Sequence, residues 1–312
     1  MAVIGIDLGA TKLSLALFSE EGEIMRRQSS LLANRTGEEV GLMIRSAIEK
    51  LIGQDRDIIH AIGVAVPGIS HIRLGTVWAP NIPGWHDYPL RTELKKAFPS
   101  IPIIIESDRA CCILGELWKG NAKGCKNVIF LAVGTGIGAG ILVEGDILHG
   151  ANDIGGAIGW MALDKPFDKK YVNCGCFEYH ASGVGMTKVA AELIGENPGY
   201  NGSLRKDHIN AQDIFIAYEN KDEIAIKVIQ QCIEYWGMAV ANLVSLFNPE
   251  RIIFGGGVFG PAVKFIPLIY DEARKWAQPI SIERITIEPS ALKEDSALYG
   301  AGQIALQKIG MN

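Results

Sequence analysis

The sequence predicts an α/β protein made of two similar halves, and three observations carry that prediction. The first is the opening stretch, Val3-Ile-Gly-Ile-Asp-Leu-Gly-Ala-Thr-Lys-Leu-Ser-Leu-Ala-Leu-Phe18. An apolar run ends in Asp7, turns through Gly9, Ala10 and Thr11, and resumes with leucines at alternate positions. Alternation with a period of two marks a half-buried strand, so the stretch reads as strand, glycine turn, strand. The second observation is its return at Val128-Ile-Phe-Leu-Ala-Val-Gly-Thr-Gly-Ile-Gly-Ala-Gly-Ile-Leu-Val143. A supersecondary unit that occurs twice predicts two similar halves with a cleft between them. The third is a pair of near-continuous apolar runs, Ala61–Val66 and Ile101–Ile105, of the kind buried on both faces in parallel sheets.

The remaining elements follow in order. Glu20 to Glu23 reads as a turn and Ile24 to Leu32 as a third strand. Thr36 and Glu39 form a capping box ahead of Ile44, Ala47, Ile48, Leu51 and Ile52, which recur at helical spacing until Gly53. Ala61–Val66 ends in Pro67-Gly68, and Pro80-Asn-Ile-Pro-Gly-Trp85 is a loop stiff enough to aim Asn81. Leu90 to Phe98 is a short helix, Ile101 to Asp108 a buried strand ending in a polar cluster, and Arg109 to Trp118 a helix. His149 to Gly183 is glycine-rich and irregular. Helices are expected near Gly185–Ile194 and Asn210–Tyr218, and a long one from about Asp222 to Phe247, stopped by Asn248-Pro249. Arg251-Ile-Ile-Phe-Gly-Gly-Gly-Val258 runs a strand into three glycines, where backbone could approach a ligand. Arg284 to Glu288 is a last strand, and Ser296 to Ile309 a closing helix whose Ala297, Gly300, Ala301 and Ile304 suit close packing.

Bulk properties exclude several classes of function. The 312 residues suffice for two domains, and 48% apolar with 21% charged residues is ordinary for a globular protein. A net charge of −5 without a Lys/Arg block gives a nucleic-acid backbone nothing to bind. No apolar run reaches membrane-spanning length, and with the first strand beginning at Val3 no signal peptide is expected. A cytoplasmic protein is expected, with its six cysteines as thiols. Cys174 and Cys176 are one possible ligand pair with His180 nearby, a weak zinc signal.

The glycine turns carry the chemistry. Around Gly9 the backbone N–H groups, the Thr11 hydroxyl and the Lys12 ammonium suit an anion, and Asp7 beside them suits a hydrated cation. Phosphate with magnesium is the natural occupant, although an ordinary hairpin fits that stretch taken alone. The turn at Gly134 is not a dinucleotide fingerprint, because a strand and not a helix follows its glycines. Asp7, Gly68 and Asp108 all lie at strand ends, where ligands gather in open α/β sheets.

Taken together, Asp7-Leu-Gly-Ala-Thr-Lys12, Pro67-Gly68, Asn81-Ile-Pro-Gly-Trp85, Ser107-Asp108, Gly134-Thr-Gly-Ile-Gly138, Gly175-Cys-Phe-Glu178 and Gly255-Gly-Gly257 resemble the ROK family of sugar kinases and repressors, within the actin-like ATPase superfamily. The resemblance covers essentially the whole chain. It implies two actin-like (ribonuclease H-like) α/β domains with an interdomain cleft: 1–118, a larger 119–295, and a closing helix 296–312 packing back toward the first. It implies ATP and Mg²⁺, a small-molecule sugar as partner, and a homodimer or homotetramer.

Residue by residue, Asp7, Gly9, Ala10, Thr11 and Lys12 match the first phosphate loop, with Ala10 replacing a usual glycine and Asp7 meeting Mg²⁺ through water. Gly134, Thr135, Gly136 and Gly138 match the second phosphate loop, and Gly256 and Gly257 the stretch near the adenosine. Asp108 matches the catalytic base; a carboxylate capping the following helix is the plainer reading of the same residue. Gly68, Asn81 and Glu178 match sugar-contacting positions, and Ser107 stands where the family has Asn.

The departures cluster in the acceptor pocket. Where the family has Glu-x-Gly-His, this chain has Ala157-Ile-Gly-Trp160, losing a carboxylate and an imidazole. Trp160 offers the sugar a stacking face, or is a core residue; Asp153 is a candidate replacement for the carboxylate. Of the family's cysteine motif only Cys176 stands in place, with Lys169 and Tyr171 near the missing positions, so no zinc is expected. The leading expectation is ATP-dependent phosphorylation of a hexose or modified hexose. The alternative is a catalytically weak sugar-binding sensor of the same fold.

Overall fold

Strands β1 (Ala2–Leu8), β2 (Lys12–Ser19), β3 (Ile24–Leu31), β4 (Ile59–Val66), β5 (Ile69–His71), β6 (Thr76–Trp78), β7 (Ile103–Ser107), β8 (Val128–Val133), β9 (Ile137–Val143), β10 (Asp146–Ile147), β11 (Arg251–Gly255) and β12 (Thr286–Pro289) run through a computed structural model that describes residues 2–53 and 59–310. The helices are α1 (Gly37–Ile52), α2 (Leu90–Ala97), α3 (Asp108–Lys119), α4 (Cys176–Ala181), α5 (Gly183–Glu196), α6 (Ala211–Glu219), α7 (Glu223–Phe247), α8 (Ile266–Arg274), α9 (Pro279–Ile282) and α10 (Ser296–Lys308). The chain divides into two units, Met1–Cys125 with Ile147–Gly155 and Ala291–Asn312, and Lys126–Asp146 with Gly156–Ser290.

The first unit carries a five-stranded sheet ordered β3-β2-β1-β4-β7. β1 pairs antiparallel with β2 across the glycine turn and parallel with β4, which pairs parallel with β7. One face packs Ile4, Ile6, Leu8, Val64 and Val66 against α1 and α2. The other receives α10, and here glycine is required. Gly5 and Gly63 are register partners on neighbouring strands. A Cβ on Gly63 would lie 1.9 Å from the Ala301 carbonyl, and one on Gly5 2.7 Å from that of Leu298. The two glycines let the α10 backbone rest directly on the sheet. α10 also meets α3 closely, since a Cβ on Gly300 would lie 1.8 Å from the Cys111 carbonyl.

The second unit repeats the plan, with a sheet ordered β10-β9-β8-β11-β12, an antiparallel β8–β9 hairpin, and β8, β11 and β12 parallel. The two glycine–threonine turns thus occupy equivalent places in two like sheets. α7 buries Ile229, Trp236, Val240 and Leu243, starts at an Asp222 carboxylate that accepts from the N–H groups of Ile224 and Ala225, and ends where Asn248 turns left-handed at φ 43°.

The structure also differs from the sequence reading. α3 begins at Asp108, one residue earlier than the pattern suggests, because Ser107 and not Asp108 is the cap. The β5–β6 hairpin and α4 went unforeseen, since three-residue strands and a six-residue helix are too short to show a period. The last strand is Thr286–Pro289 instead of 284–288. No helix among the described residues is long and apolar enough to cross a membrane.

Candidate active site

In the first unit the glycine turn is closed by the Gly9 N–H donating to the Lys12 carbonyl at 2.8 Å, which leaves Ala10, Thr11 and Lys12 exposed. Ala10 is not among the residues with left-handed backbone, so the turn tolerates a side chain there. Asp7 sits one residue before the end of β1. Burial, and secondly the negative charge of Asp108, push its carboxyl up to about 7; Lys12 pulls the other way. Asp7 and Asp108 therefore share one electrostatic neighbourhood.

Asp108 opens α3 at the carboxyl end of β7. The Ser107 hydroxyl takes the capping role, accepting from the Ala110 N–H at 3.3 Å. The Asp108 carboxylate accepts from the adjacent Arg109 N–H, at 2.8 Å through Oδ1. Burial raises its pKa, opposed by the Arg109 charge and by backbone hydrogen bonds. The Arg109 guanidinium donates to the Gly68 carbonyl at 3.1 Å, tying the turn after β4 to the start of α3. Gly68 has φ +83°, and a Cβ there would lie 2.2 Å from the Trp78 carbonyl, so only glycine fits. Asn81 is exposed on a loop held by three hydrogen bonds among Ala79, Ile82 and Trp85, with Trp85 buried and its indole N–H on the Gly37 carbonyl.

In the second unit the Gly134 N–H donates to the Gly136 carbonyl at 2.9 Å, and the Gly183 N–H at the start of α5 donates to the Gly134 carbonyl at 2.8 Å. A cavity of 490 Å³ opens beside them, lined by Gly134, Thr135, Val184, Ile209, Phe215 and Gly257 among others. Gly256 has φ +87°, and its missing Cβ would strike the Val133 carbonyl at 2.4 Å; a Cβ on Gly257 would meet nothing. Gly138 is buried within β9. Glu178 on α4 accepts from the Ile137 N–H at 2.6 Å and leaves no room for a Cβ on Gly136. Burial raises its pKa, partly offset by that bond.

The altered loop is held by rings. His180 contacts the Tyr171 hydroxyl through Nε2 at 2.9 Å and the Gln231 amide through Nδ1 at 2.6 Å, and stacks on Tyr235 at 4.5 Å. Burial lowers its pKa. Both ring nitrogens are thereby engaged. Trp160 is 58% exposed, which discards the core reading of that residue, and Gly175 packs against its Cα.

The structure assigns Asp7, Gly9, Ala10, Thr11, Lys12, Gly68, Asn81, Ser107 and Asp108 to the first unit. It assigns Gly134, Thr135, Gly136, Gly138, Trp160, Glu178, Gly256 and Gly257 to the second. Sequence reasoning missed Arg109, Glu106 with His149, and the cavity walls at Ile209 and Phe215. Glu106, a charge inside an apolar strand, was the one detectable signal; the others depend on contacts between distant residues.

Comparison with known proteins shows the family. The family model described as "ROK family" matches residues 3–308. A glucokinase of Halalkalibacterium halodurans is 30% identical over 98% of this chain and 95% of its own. A xylose repressor of Caldicellulosiruptor bescii is 29% identical over 96% of this chain and 76% of its own. The crystal structure of a ROK hexokinase from Thermus thermophilus superposes with a TM-score of 0.85 at 26% identity, covering 100% of both chains. With two like actin-type sheets, paired glycine turns and a family match from strand β1 to the end of α10, this chain belongs to the ROK family.

Proposed function

We propose that the chain is an ATP-dependent kinase of a hexose or modified hexose, with Asp108 as general base. The observation that carries this reading is the release of Asp108 from capping. Ser107 caps the helix, so a carboxylate whose pKa burial raises stands at a strand end with hydrogen bonds from local backbone alone among the described residues. A base of that kind suits proton removal from a hydroxyl as it attacks a phosphoryl group.

The phosphates would be met by the Gly9–Lys12 and Gly134–Gly138 turns, through N–H groups and the Thr11 and Thr135 hydroxyls. The 490 Å³ cavity, with Val184, Ile209 and Phe215 as apolar walls and Gly257 open beneath, is of a size and character to take a nucleoside. Asp7 would hold Mg²⁺ through water, where a cation would offset the burial and the Asp108 charge that raise its pKa. Bound there, the cation would neutralise charge on the transferring phosphoryl group. Gly68, Asn81, Ser107, Glu178 and the exposed face of Trp160 are the proposed sugar contacts. Six unpaired cysteines accord with a cytoplasmic enzyme.

ATP turnover against hexoses, N-acetylhexosamines and ketohexoses tests the proposal. Sugar-stimulated turnover that drops about 10²–10⁴-fold in Asp108→Asn supports it. Turnover that no sugar stimulates, insensitive to Asp108→Asn, overturns it. The sensor reading draws on Ala157 and Trp160 alone, and predicts sugar binding without turnover.

A further inference from the structure

One buried charge has no part in the mechanism above. Glu106 is 8% exposed near the end of β7, following three isoleucines. Its Oε1 accepts from the Ser107 N–H at 2.7 Å, and its Oε2 lies 2.8 Å from Nε2 of His149. Placing a carboxylate in a sheet is costly unless it is paired, and the imidazole is the partner. His149 belongs to the short segment Ile147–Gly155 that packs within the first unit. That segment closes on itself, the Gly155 N–H donating to the His149 carbonyl at 2.8 Å, and Ile147 anchors it beside Cys111 and Leu114.

Glu106 lies one residue before the end of β7 and Asp108 opens α3 two residues later, so the Glu106–His149 pair stands at the strand end that carries the proposed base. The Cys111 thiol is pushed up by burial and, among other charges, by Glu106, Asp108 and Asp7, so the three carboxylates surround one locality. His149 is partly exposed, and among the described residues its Nδ1 has no hydrogen-bond partner. An imidazole oriented through one nitrogen by a buried carboxylate presents the other nitrogen in a fixed direction. The hydrogen bond to Glu106 raises the pKa of His149, against burial and with the charges of Glu106 and Asp153, which favours the charged form in which Nδ1 donates.

We propose that His149, oriented by Glu106, is a specificity-determining donor to an acceptor-sugar hydroxyl next to the one that Asp108 deprotonates. The assignment rests on the kinase reading.

The test is a cycle of His149→Ala and His149→Gln against a set of monodeoxy analogues of whichever sugar the wild type phosphorylates. His149→Ala is expected to raise the sugar KM about 10- to 100-fold, the range of a charge-assisted hydrogen bond, with kcat changed less than about threefold and the KM for ATP unchanged. One deoxy analogue should be discriminated against by the wild type and no longer by His149→Ala, while His149→Gln, which retains a neutral donor, recovers part of the discrimination. Glu106→Gln should act like a milder His149→Ala. A purely structural His149 would lower activity on all analogues alike, and undiminished deoxy discrimination in His149→Ala overturns the assignment while leaving the kinase reading intact. A wild type that phosphorylates no sugar overturns the kinase reading itself.

Discussion

At the scale of single residues the two carboxylates set the pH behaviour. Asp7 titrates near 7 in the folded chain against an ordinary value of 3.8, so between about pH 4 and pH 7 the folded state keeps a proton that the unfolded chain has lost. Stability from this group is therefore greatest at low pH and declines as pH rises through that window. Asp7→Asn, which never ionises, escapes the decline. Its melting temperature should exceed that of the wild type by several degrees at pH 8, with the gap closing toward pH 4, and its kinase activity should fall by at least about a hundredfold. Equal melting temperatures at pH 8 would show that Asp7 carries no such strain. In the wild type, kcat/KM for ATP should rise with pH as Asp7 ionises, and the midpoint should move lower as Mg²⁺ is increased, because a cation favours the charged carboxylate. A midpoint indifferent to Mg²⁺ would remove Asp7 from the cation site.

Among elements, α10 and the loop around His180 show what holds the site's supports. α10 lies against β1, β4 and α3 only because Gly5, Gly63 and Gly300 omit a Cβ. Gly300→Ala would drive a methyl into the Cys111 carbonyl, on the helix that Asp108 begins. The expected cost is about 1–3 kcal/mol by urea unfolding, with an activity loss beyond what stability explains. In the loop, His180 is buried with both nitrogens hydrogen-bonded and its ring stacked on Tyr235. A chelator should accordingly leave the melting temperature unchanged, whereas His180→Ala should cost about 2–3 kcal/mol by emptying the cluster and stranding the Tyr171 hydroxyl. Stoichiometric zinc in the purified protein, or unfolding by chelator, would contradict this account of the loop.

Across the whole molecule, two like sheets share out one reaction's residues. The first unit has the base, the cation carboxylate and one glycine turn; the second has the other turn and the cavity proposed for the nucleoside. Nucleotide affinity should therefore respond to changes in the second unit that leave sugar affinity alone. Phe215→Ala, in the cavity wall, is expected to raise the KM for ATP about tenfold with the sugar KM unchanged, measured by varying each substrate at saturation of the other. Equal effects on both would argue against a separate nucleoside cavity.

Much of this was legible in the sequence, and the reason is locality. Strand–turn–strand units, the cap at Thr36, the close-packing glycines of α10 and the strand-end placement of Asp7, Gly68 and Asp108 all follow from residues a few positions apart, where period and turn chemistry operate. What the chain order could not show was decided by tertiary structure. Whether Asp108 caps α3 or stays available depended on where the Ser107 hydroxyl turned. Whether Trp160 was core or surface depended on how the loop beneath it packed, and it is exposed. Glu178 meets Ile137 across 41 residues and Glu106 meets His149 across 43, and no local pattern encodes such pairs. The sequence by itself determined the two glycine turns and the sheets that hold them. The folded chain decided which carboxylates are buried, which are partnered and which remain for chemistry, because desolvation and pairing are properties of neighbours in space.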